Sequence, residues 1–369
     1  LNNLQVRDTN KKRVINYLYK NNAAAKQDII STLGLSMPTV SHILKELSDR
    51  GLVKKVGTLQ SSGGRKPAAI SLVYDAKLSV GVEIKSRHLL FSAIDLGENI
   101  LYSKKIRFPF HNDNDYYRMF AAEIEKFIDE SGIDTNKLLG VGIAVPGIVN
   151  IRNNILEYSP TLNVTNLPLE TLAKFIPYTV MSGNEANLAG FSEVWKMDNI
   201  EDAVFLSINK GVGGAIFIGN KLYYGKDGRS GEFGHMTIVK DGQVCSCGKR
   251  GCLEAYCSSK VLIEPDYDDI DEFFADLEAN NENCQKKWHT YLDYLATGIN
   301  NIYTQFNSNI IIGGEVSTYL KKYCETLQQM IISRSTFETN ADYLHFSQFG
   351  DHASSVGAAL LLVDEFLSE

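Results

Sequence analysis

Gly231-Glu232-Phe233-Gly234-His235, followed after a short gap by Cys245-Ser246-Cys247-Gly248-Lys249-Arg250-Gly251-Cys252-Leu253-Glu254, is the stretch on which the reading of this chain turns. Three cysteines fall within eight positions, and a histidine stands ten residues upstream of the first, in a 369-residue chain with only six cysteines. One imidazole and three thiolates make a closed tetrahedral set for zinc, the arrangement of structural rather than catalytic sites. Gly248 and Gly251 allow turns tight enough for thiolates so close in sequence to converge on one ion. Glu232 and Glu254 flank the set, and carboxylates are natural acceptors for paired vicinal hydroxyls. A zinc clamp contributing roughly 10 to 16 kcal/mol would hold both loops in place. The alternative is a group of ordinary buried thiols.

Gly-Glu-x-Gly-His followed by Cys-x-Cys-Gly-x-x-Gly-Cys-Leu-Glu resembles the signature of the ROK family, which contains repressors and sugar kinases on one fold. The resemblance implies zinc on His235, Cys245, Cys247 and Cys252, and sugar hydroxyls on Glu232 and Glu254, with His235 serving both sites. It covers essentially all of the chain. It implies an α/β body with an actin-like, ribonuclease H-like sugar kinase fold of two lobes and a ligand cleft between them.

Composition agrees with a two- or three-domain chain. No apolar run of about eighteen residues appears, so no membrane span is expected. The polar, lysine-rich start lacks a signal peptide's apolar segment, and cysteines gathered as metal ligands fit a reducing cytoplasm. The net charge of −7 hides an asymmetry: residues 1–74 hold twelve Lys and Arg against four Asp and Glu, +8, which leaves −15 for the remainder. A basic head on an acidic body is expected where the head alone meets nucleic acid.

Within that head three short apolar stripes repeat at helical spacing. Val14, Ile15 and Leu18 form the first, from Lys11 onward, and Ile29, Ile30 and Leu33 the second, stopping at Gly34. Val40, Ile43, Leu44 and Leu47 form the third, stopping at Gly51, with Ser36 as N-cap and Pro38 in the first turn. This is helix-turn-helix spacing. Opposite the third stripe stand Thr39, Ser41, His42 and Lys45, a polar face suited to base edges or, more plainly, to water. Strands over 52–56 and 69–72 enclose Gly63-Gly64-Arg65-Lys66-Pro67, a wing slim enough for Arg65 and Lys66 to enter a minor groove. A Gly-Arg-x-Pro wing resembles what ROK repressors carry and the family's kinases lack. The winged helix-turn-helix domain is placed at 1–75, a first lobe at 76–185 closed by a helix over 353–369, and a second lobe at 186–352 with the zinc site and dimerisation surface.

In the body, strands are expected over 80–84, 89–94, 138–145, 203–208 and 310–314, a helix over 114–131, and a turn at Ser182-Gly183-Asn184-Glu185 opening another helix. Asn184-Glu185-Ala186-Asn187 resembles the family's Asn-Asp-Ala-Asn, in which the aspartate is the base of the kinases. Glu185 carries its carboxylate about one methylene further out, and catalysis is sensitive to displacements of about 1 Å. At the first strand turn the kinases carry Asp-x-Gly-Gly-Thr, while this chain reads Glu83-Ile84-Lys85-Ser86-Arg87, whose side chains would obstruct a phosphate loop. Gly211, Gly213 and Gly214 survive, and either a phosphate loop or a tight turn explains them. Gly313-Gly314 is equally ambiguous. Thr161, in Ser159-Pro160-Thr161-Leu162, occupies the place of a sugar-contacting loop.

These features predict a sugar-responsive repressor of a carbohydrate-utilisation operon, without kinase activity and without a requirement for ATP. Its expected partners are operator DNA, a monosaccharide or sugar-derivative effector held by Asn184, Glu185, Glu232, His235, Glu254 and Thr161, and a second copy in a homodimer or tetramer. An ATP-dependent sugar kinase with an accessory DNA-binding head, and a repressor controlled by a protein partner, are the alternatives.

Overall fold

The computed structural model describes residues 3–58, 67–197 and 200–368. At the amino-terminal end, helices Asn3–Asn21, Lys26–Leu33 and Met37–Asp49 precede antiparallel strands Val53–Thr58 and Ala68–Leu72, and the short strand Ala24–Ala25 pairs on the free side of the latter. Gly34 ends the second helix in the left-handed region at φ 64°, and the Ser36 hydroxyl caps the third by accepting from the Thr39 amide at 3.3 Å. The first helix begins well before Lys11, where its apolar stripe begins. Charge rather than burial holds part of this extension, because Arg7 and Lys11 lie 2.7 and 2.6 Å from Glu46 on the third helix. Bonds from Lys11 and Arg7 bring the Glu46 carboxyl down to about 2. Part of the basic head's charge is therefore spent internally.

The first lobe is a five-stranded sheet in the order Val180–Asn184, Leu138–Val145, Leu78–Ile84, His88–Asp95, Ile100–Arg107, parallel across the first three and antiparallel thereafter. Asn114–Ser131 packs on one face through Tyr116, Phe120, Ile124 and Phe127. Ala353–Leu367 packs on the other so closely that a Cβ on Gly81 would fall 1.8 Å from the Ser355 carbonyl oxygen, and one on Gly142 would fall 1.9 Å from that of Ala358. The expected turn at 182–184 is instead the end of a strand paired along Leu138–Val145, and its helix runs Glu185–Lys196.

The second lobe is another five-stranded sheet, Lys221–Leu222, Val212–Ile218, Ala203–Ile208, Asn309–Gly313, Leu344–Phe346. The sequence expectations leave residues 255–309 unassigned. Most of that stretch is helical, including the 25-residue helix Glu282–Phe306, whose buried stripe runs through Trp288, Tyr291, Leu295, Ile299 and Ile302. The head is not a free appendage: Val14, Leu18 and Leu47 share one buried cluster with Ile94, Leu96, Val356, Leu360 and Val363 of the body. No helix among the described residues is long and apolar enough to cross a membrane.

Candidate functional site

The metal-ligand set assembles through local backbone geometry. Two isolated bridges, Thr237 with Cys252 and Val244 with Arg250, bring the ends of the loop side by side. Within it the Cys245 amide donates to the Lys249 carbonyl at 2.7 Å and the Gly248 amide to that of Cys245 at 2.9 Å. Gly248 and Gly251 sit at φ 83° and 78°, and a Cβ on Gly251 would fall 1.7 Å from the Val239 carbonyl oxygen. Only glycine fits there. The ligand atoms of His235, Cys245, Cys247 and Cys252 all lie within 4.8 Å of one another, a group able to hold a metal ion. Cys247 and Cys252 sulfurs are 3.8 Å apart, as are Cys245 Sγ and His235 Nδ1. Burial first, then the neighbouring thiols, pushes Cys252 up to about 12, while the Lys249 backbone amide lowers Cys247. A cation among them would reverse the first effect. Cys257, Cys284 and Cys324 are free thiols away from this group.

Beside it several carboxylates are near enough to influence one another: Glu254 and Glu232, and Glu232 and Glu83 with Glu185. Both oxygens of Glu254 are bonded within the protein: its Oε2 accepts from the Val212 amide at 3.0 Å, and its Oε1 accepts from the Ser246 hydroxyl and lies 3.6 Å from Cys245 Sγ, which leaves acceptor capacity on each. Glu232 is exposed as a residue, while its carboxyl is surrounded closely enough by protein to be partly desolvated. Burial raises its carboxyl, nearby Glu254 adds to this, and His235 and Arg229 oppose it. Burial raises Glu185 more, to about 8, with Glu83 and Glu232 contributing. A carboxyl raised this far favours its protonated form at neutral pH.

Asn184 turns out to be a structural hub. Its Oδ1 caps the helix by accepting from Asn187 at 2.8 Å, and its Nδ2 donates to the Gly147 carbonyl at 2.7 Å and to Glu185 Oε2 at 2.8 Å. Both amide protons are used, so only spare acceptor capacity on Oδ1 remains for a ligand. Thr161 is exposed in the turn that Ser159 Oγ anchors by accepting from the Leu162 amide at 3.2 Å.

At the first strand turn, Glu83 is buried with one carboxylate oxygen unpartnered, and Lys85 Nζ stands 3.6 Å from the other. At the second, the surviving glycines have packing reasons. A Cβ on Gly214 would fall 2.6 Å from the Phe233 ring and 2.7 Å from the Phe205 carbonyl oxygen, and one on Gly211 would fall 3.1 Å from Glu254 Oε2. Sequence reading passes over Ser246, and also over Arg229 and Glu157, which pair at 3.7 Å. No local spacing signals either.

On the third helix of the head, Pro38, His42 and Lys45 are exposed, together with Met37, which sequence reading passes over. Thr39 and Ser41 are half-buried, with hydroxyls bonded at 2.8 Å to Ser36 Oγ and at 2.6 Å to the Met37 carbonyl. Arg65 and Lys66 lie outside the described residues.

Residues 79–365 match the ROK family. The chain belongs to it. Residues 7–54 match winged helix-turn-helix DNA-binding domains, which agrees with the three helices described above. Similar ROK proteins include the xylose repressor of Caldicellulosiruptor bescii, 26% identical with 100% of this chain and 98% of that protein covered, and that of Bacillus subtilis, 27% identical with 98% and 97% covered. The N-acetylglucosamine repressor of Escherichia coli O157:H7 is 26% identical over 62% of this chain and 57% of its own length. Among solved structures, a ROK transcriptional regulator, a homologue of the Escherichia coli MLC protein, superposes with a TM-score of 0.77 at 24% identity, covering 97% of this chain and 96% of that one. A ROK glucokinase from Streptomyces griseus, with glucose and AMPPNP, gives 0.67 at 24% identity over 77% of this chain and 98% of its own. The portion that aligns with the kinase leaves room for the head, and the regulator spans both parts.

Proposed function

We propose that this protein is a sugar-responsive DNA-binding repressor of carbohydrate-utilisation genes. The observation that carries the reading is the joining, in one chain, of a winged helix-turn-helix head to a ROK body whose first strand turn holds the Glu83 and Lys85 pair where a phosphate loop would need small residues. Pro38, Thr39, Ser41, His42, Lys45, Arg65 and Lys66 are assigned to operator DNA, with the bases read from the amino-terminal half of Met37–Asp49. Asn184, Glu185, Glu232, His235, Glu254 and Thr161 are assigned to a monosaccharide or a derivative of one. Glu185, protonated, donates to a sugar oxygen, and Glu232 accepts from a hydroxyl.

The ion assigned to His235, Cys245, Cys247 and Cys252 is zinc in a structural role. A tetrahedral zinc with bonds to sulfur of about 2.3 Å has sulfur-to-sulfur edges of about 3.8 Å, the separation found between Cys247 and Cys252. Such an ion neutralises the thiolates, and Nδ1 of His235 faces it, so Nε2 is left for the cleft. Phosphoryl transfer needs a positioned nucleotide and an ionised base, and a protonated Glu185 beside a filled first turn supports neither. The working form is a homodimer, in which a change of lobe angle alters the spacing of two heads set against half-sites about 34 Å apart.

The test is fluorescence anisotropy of the full chain on the duplex upstream of its own gene, at fixed salt, with D-xylose, D-glucose and N-acetylglucosamine in parallel. Binding in the nanomolar range, weakened about 5- to 150-fold by one sugar, is expected. Sugar phosphorylation dependent on ATP and lost in Glu185→Gln would overturn the reading in favour of a kinase.

A further inference from the structure

Helix Glu185–Lys196 starts in the cleft and ends against the DNA-binding head, about 18 Å away for twelve residues. At its far end Trp195 Nε1 donates to the Tyr19 hydroxyl at 2.7 Å, and that hydroxyl donates to Glu98 Oε1 at 2.7 Å. Lys196 Nζ lies 3.1 Å from Glu98 Oε2. The rings of Tyr19 and Trp195 meet edge to face at 6.0 Å. Tyr19 belongs to the first helix of the head, Glu98 to the hairpin turn between His88–Asp95 and Ile100–Arg107, and Trp195 to the cleft helix, so three separate elements meet on one hydroxyl.

Two further observations make this more than an incidental contact. Glu98 sits at φ 60°, a left-handed conformation that glycine or asparagine adopts more cheaply, in a turn whose geometry Asp95 already holds by accepting from the Gly97 and Asn99 amides. At this costly position the nearly buried Glu98 side chain offsets the strain through its bonds to Tyr19 and Lys196. The helix itself is rigidly seated. Buried Glu193 accepts from the Ser347 hydroxyl and from the Gln348 and Phe349 amides, which ties the helix to the segment leading into Ala353–Leu367. An uninterrupted helix held in this way moves more readily as one body than by bending, so a shift at Glu185 is carried toward Trp195. From Tyr19 the first helix carries it onward, because Arg7 and Lys11 on the same helix are paired with Glu46 on the helix assigned to DNA.

We infer that Tyr19, bridged to Trp195 and Glu98, is the positioning residue through which the state of the cleft at Glu185 sets the orientation of the DNA-reading helix. The inference rests on the effector-responsive reading above, and its test is chosen to separate the two.

Hydrogen exchange is followed by mass spectrometry on the full chain, free of ligand, for wild type, Glu185→Ala, Tyr19→Phe and the double variant. Sites about 18 Å apart with no shared partner ordinarily act additively. Glu185→Ala, which removes the carboxyl that accepts from Asn184 Nδ2, is expected to change amide exchange in residues 10–21 and 37–49 by about 3-fold or more, and to change it by less than 1.5-fold once Tyr19 is phenylalanine. Equal changes in both backgrounds, or none in either, overturn the inference. Glu98→Gln, which keeps the acceptor for Tyr19 and loses the charge facing Lys196, is expected to retain at least half of the coupling. This guards against reading a loosened Tyr19→Phe head as a lost connection. Operator affinity of the same four proteins is measured in parallel. Absence of DNA binding by the wild type would refute the repressor reading and leave the exchange result to judge the connection by itself.

Discussion

The two strand turns that face the cleft look alike in topology and have opposite chemistry. The turn after Leu78–Ile84 carries Lys85, Ser86 and Arg87, and its buried Glu83 is answered by Lys85. The turn before Val212–Ile218 has Gly211, and Gly213 and Gly214 follow inside the strand, yet the Val212 amide is taken by Glu254 and Gly211 and Gly214 make room for Glu254, Phe233 and Phe205. A glycine run therefore identifies a phosphate site only when its amides are free, and here the retained run serves the carboxylate side of the cleft. One turn is occupied by long side chains and the other has its donor committed to Glu254.

The carboxylate side stands on the metal-ligand loop, so the largest expected effect comes from removing the zinc proposed there. Cys252→Ser, or dialysis against a strong chelator, should lower the melting temperature by roughly 10 °C or more and leave zinc below one-tenth of an equivalent by elemental analysis. An unchanged melting temperature with no bound metal would show that the loop holds Glu232 and Glu254 without it. Next in size is Gly214→Ala. Its Cβ would meet the Phe233 ring and the Phe205 backbone, and overpacking of this kind costs about 1 to 3 kcal/mol. Gly211→Ala meets only the end of the Glu254 side chain, so it should spare stability and weaken sugar binding. Comparing the two by thermal melting and sugar titration separates packing from ligand support.

What could be read from sequence was whatever physics keeps local. The metal set lies in a short span with its glycines interleaved, and the head's helices show themselves by period, by Ser36 and by Gly34. The contacts that decide how these parts work join residues far apart in the chain: Glu254 with Val212, Glu193 with 347–349, Tyr19 with Glu98 and Trp195. No spacing rule encodes them. Helix Glu282–Phe306 was legible in principle, since Asn281 caps it by accepting from the Asn283 and Cys284 amides and the stripe from Trp288 to Ile302 keeps helical period. Asn184 shows the opposite difficulty. Its place in a family-like motif suggests a ligand contact, and only the structure shows both amide protons spent on Gly147 and Glu185.

Glu185 sharpens the contrast through pH. Its folded pKa of about 8 lies above the ordinary 4.5, so below pH 4 both folded and unfolded chains hold the proton and it contributes no penalty. Between these values the unfolded chain ionises and the folded one does not, so stability falls as pH rises, by at most about 5 kcal/mol once pH exceeds 8. Glu185→Gln should melt with the wild type at pH 4 and above it at pH 8.5, with the gap widening in between. A constant gap would mean that Glu185 ionises freely, and the case against a catalytic base would weaken.

The smallest expected effect is from restoring small residues at the first turn. Lys85→Gly with Ser86→Gly removes the obstruction and the cation facing Glu83. If the two turns have diverged independently, this changes little: the Val212 amide still belongs to Glu254 and Glu185 still holds its proton. Magnesium ATP at millimolar concentration should then shift melting by less than about 1 °C, since ligand stabilisation follows occupancy, and no sugar phosphate should form. A shift of several degrees would show that the second turn still accepts phosphates and that the first alone closed the site.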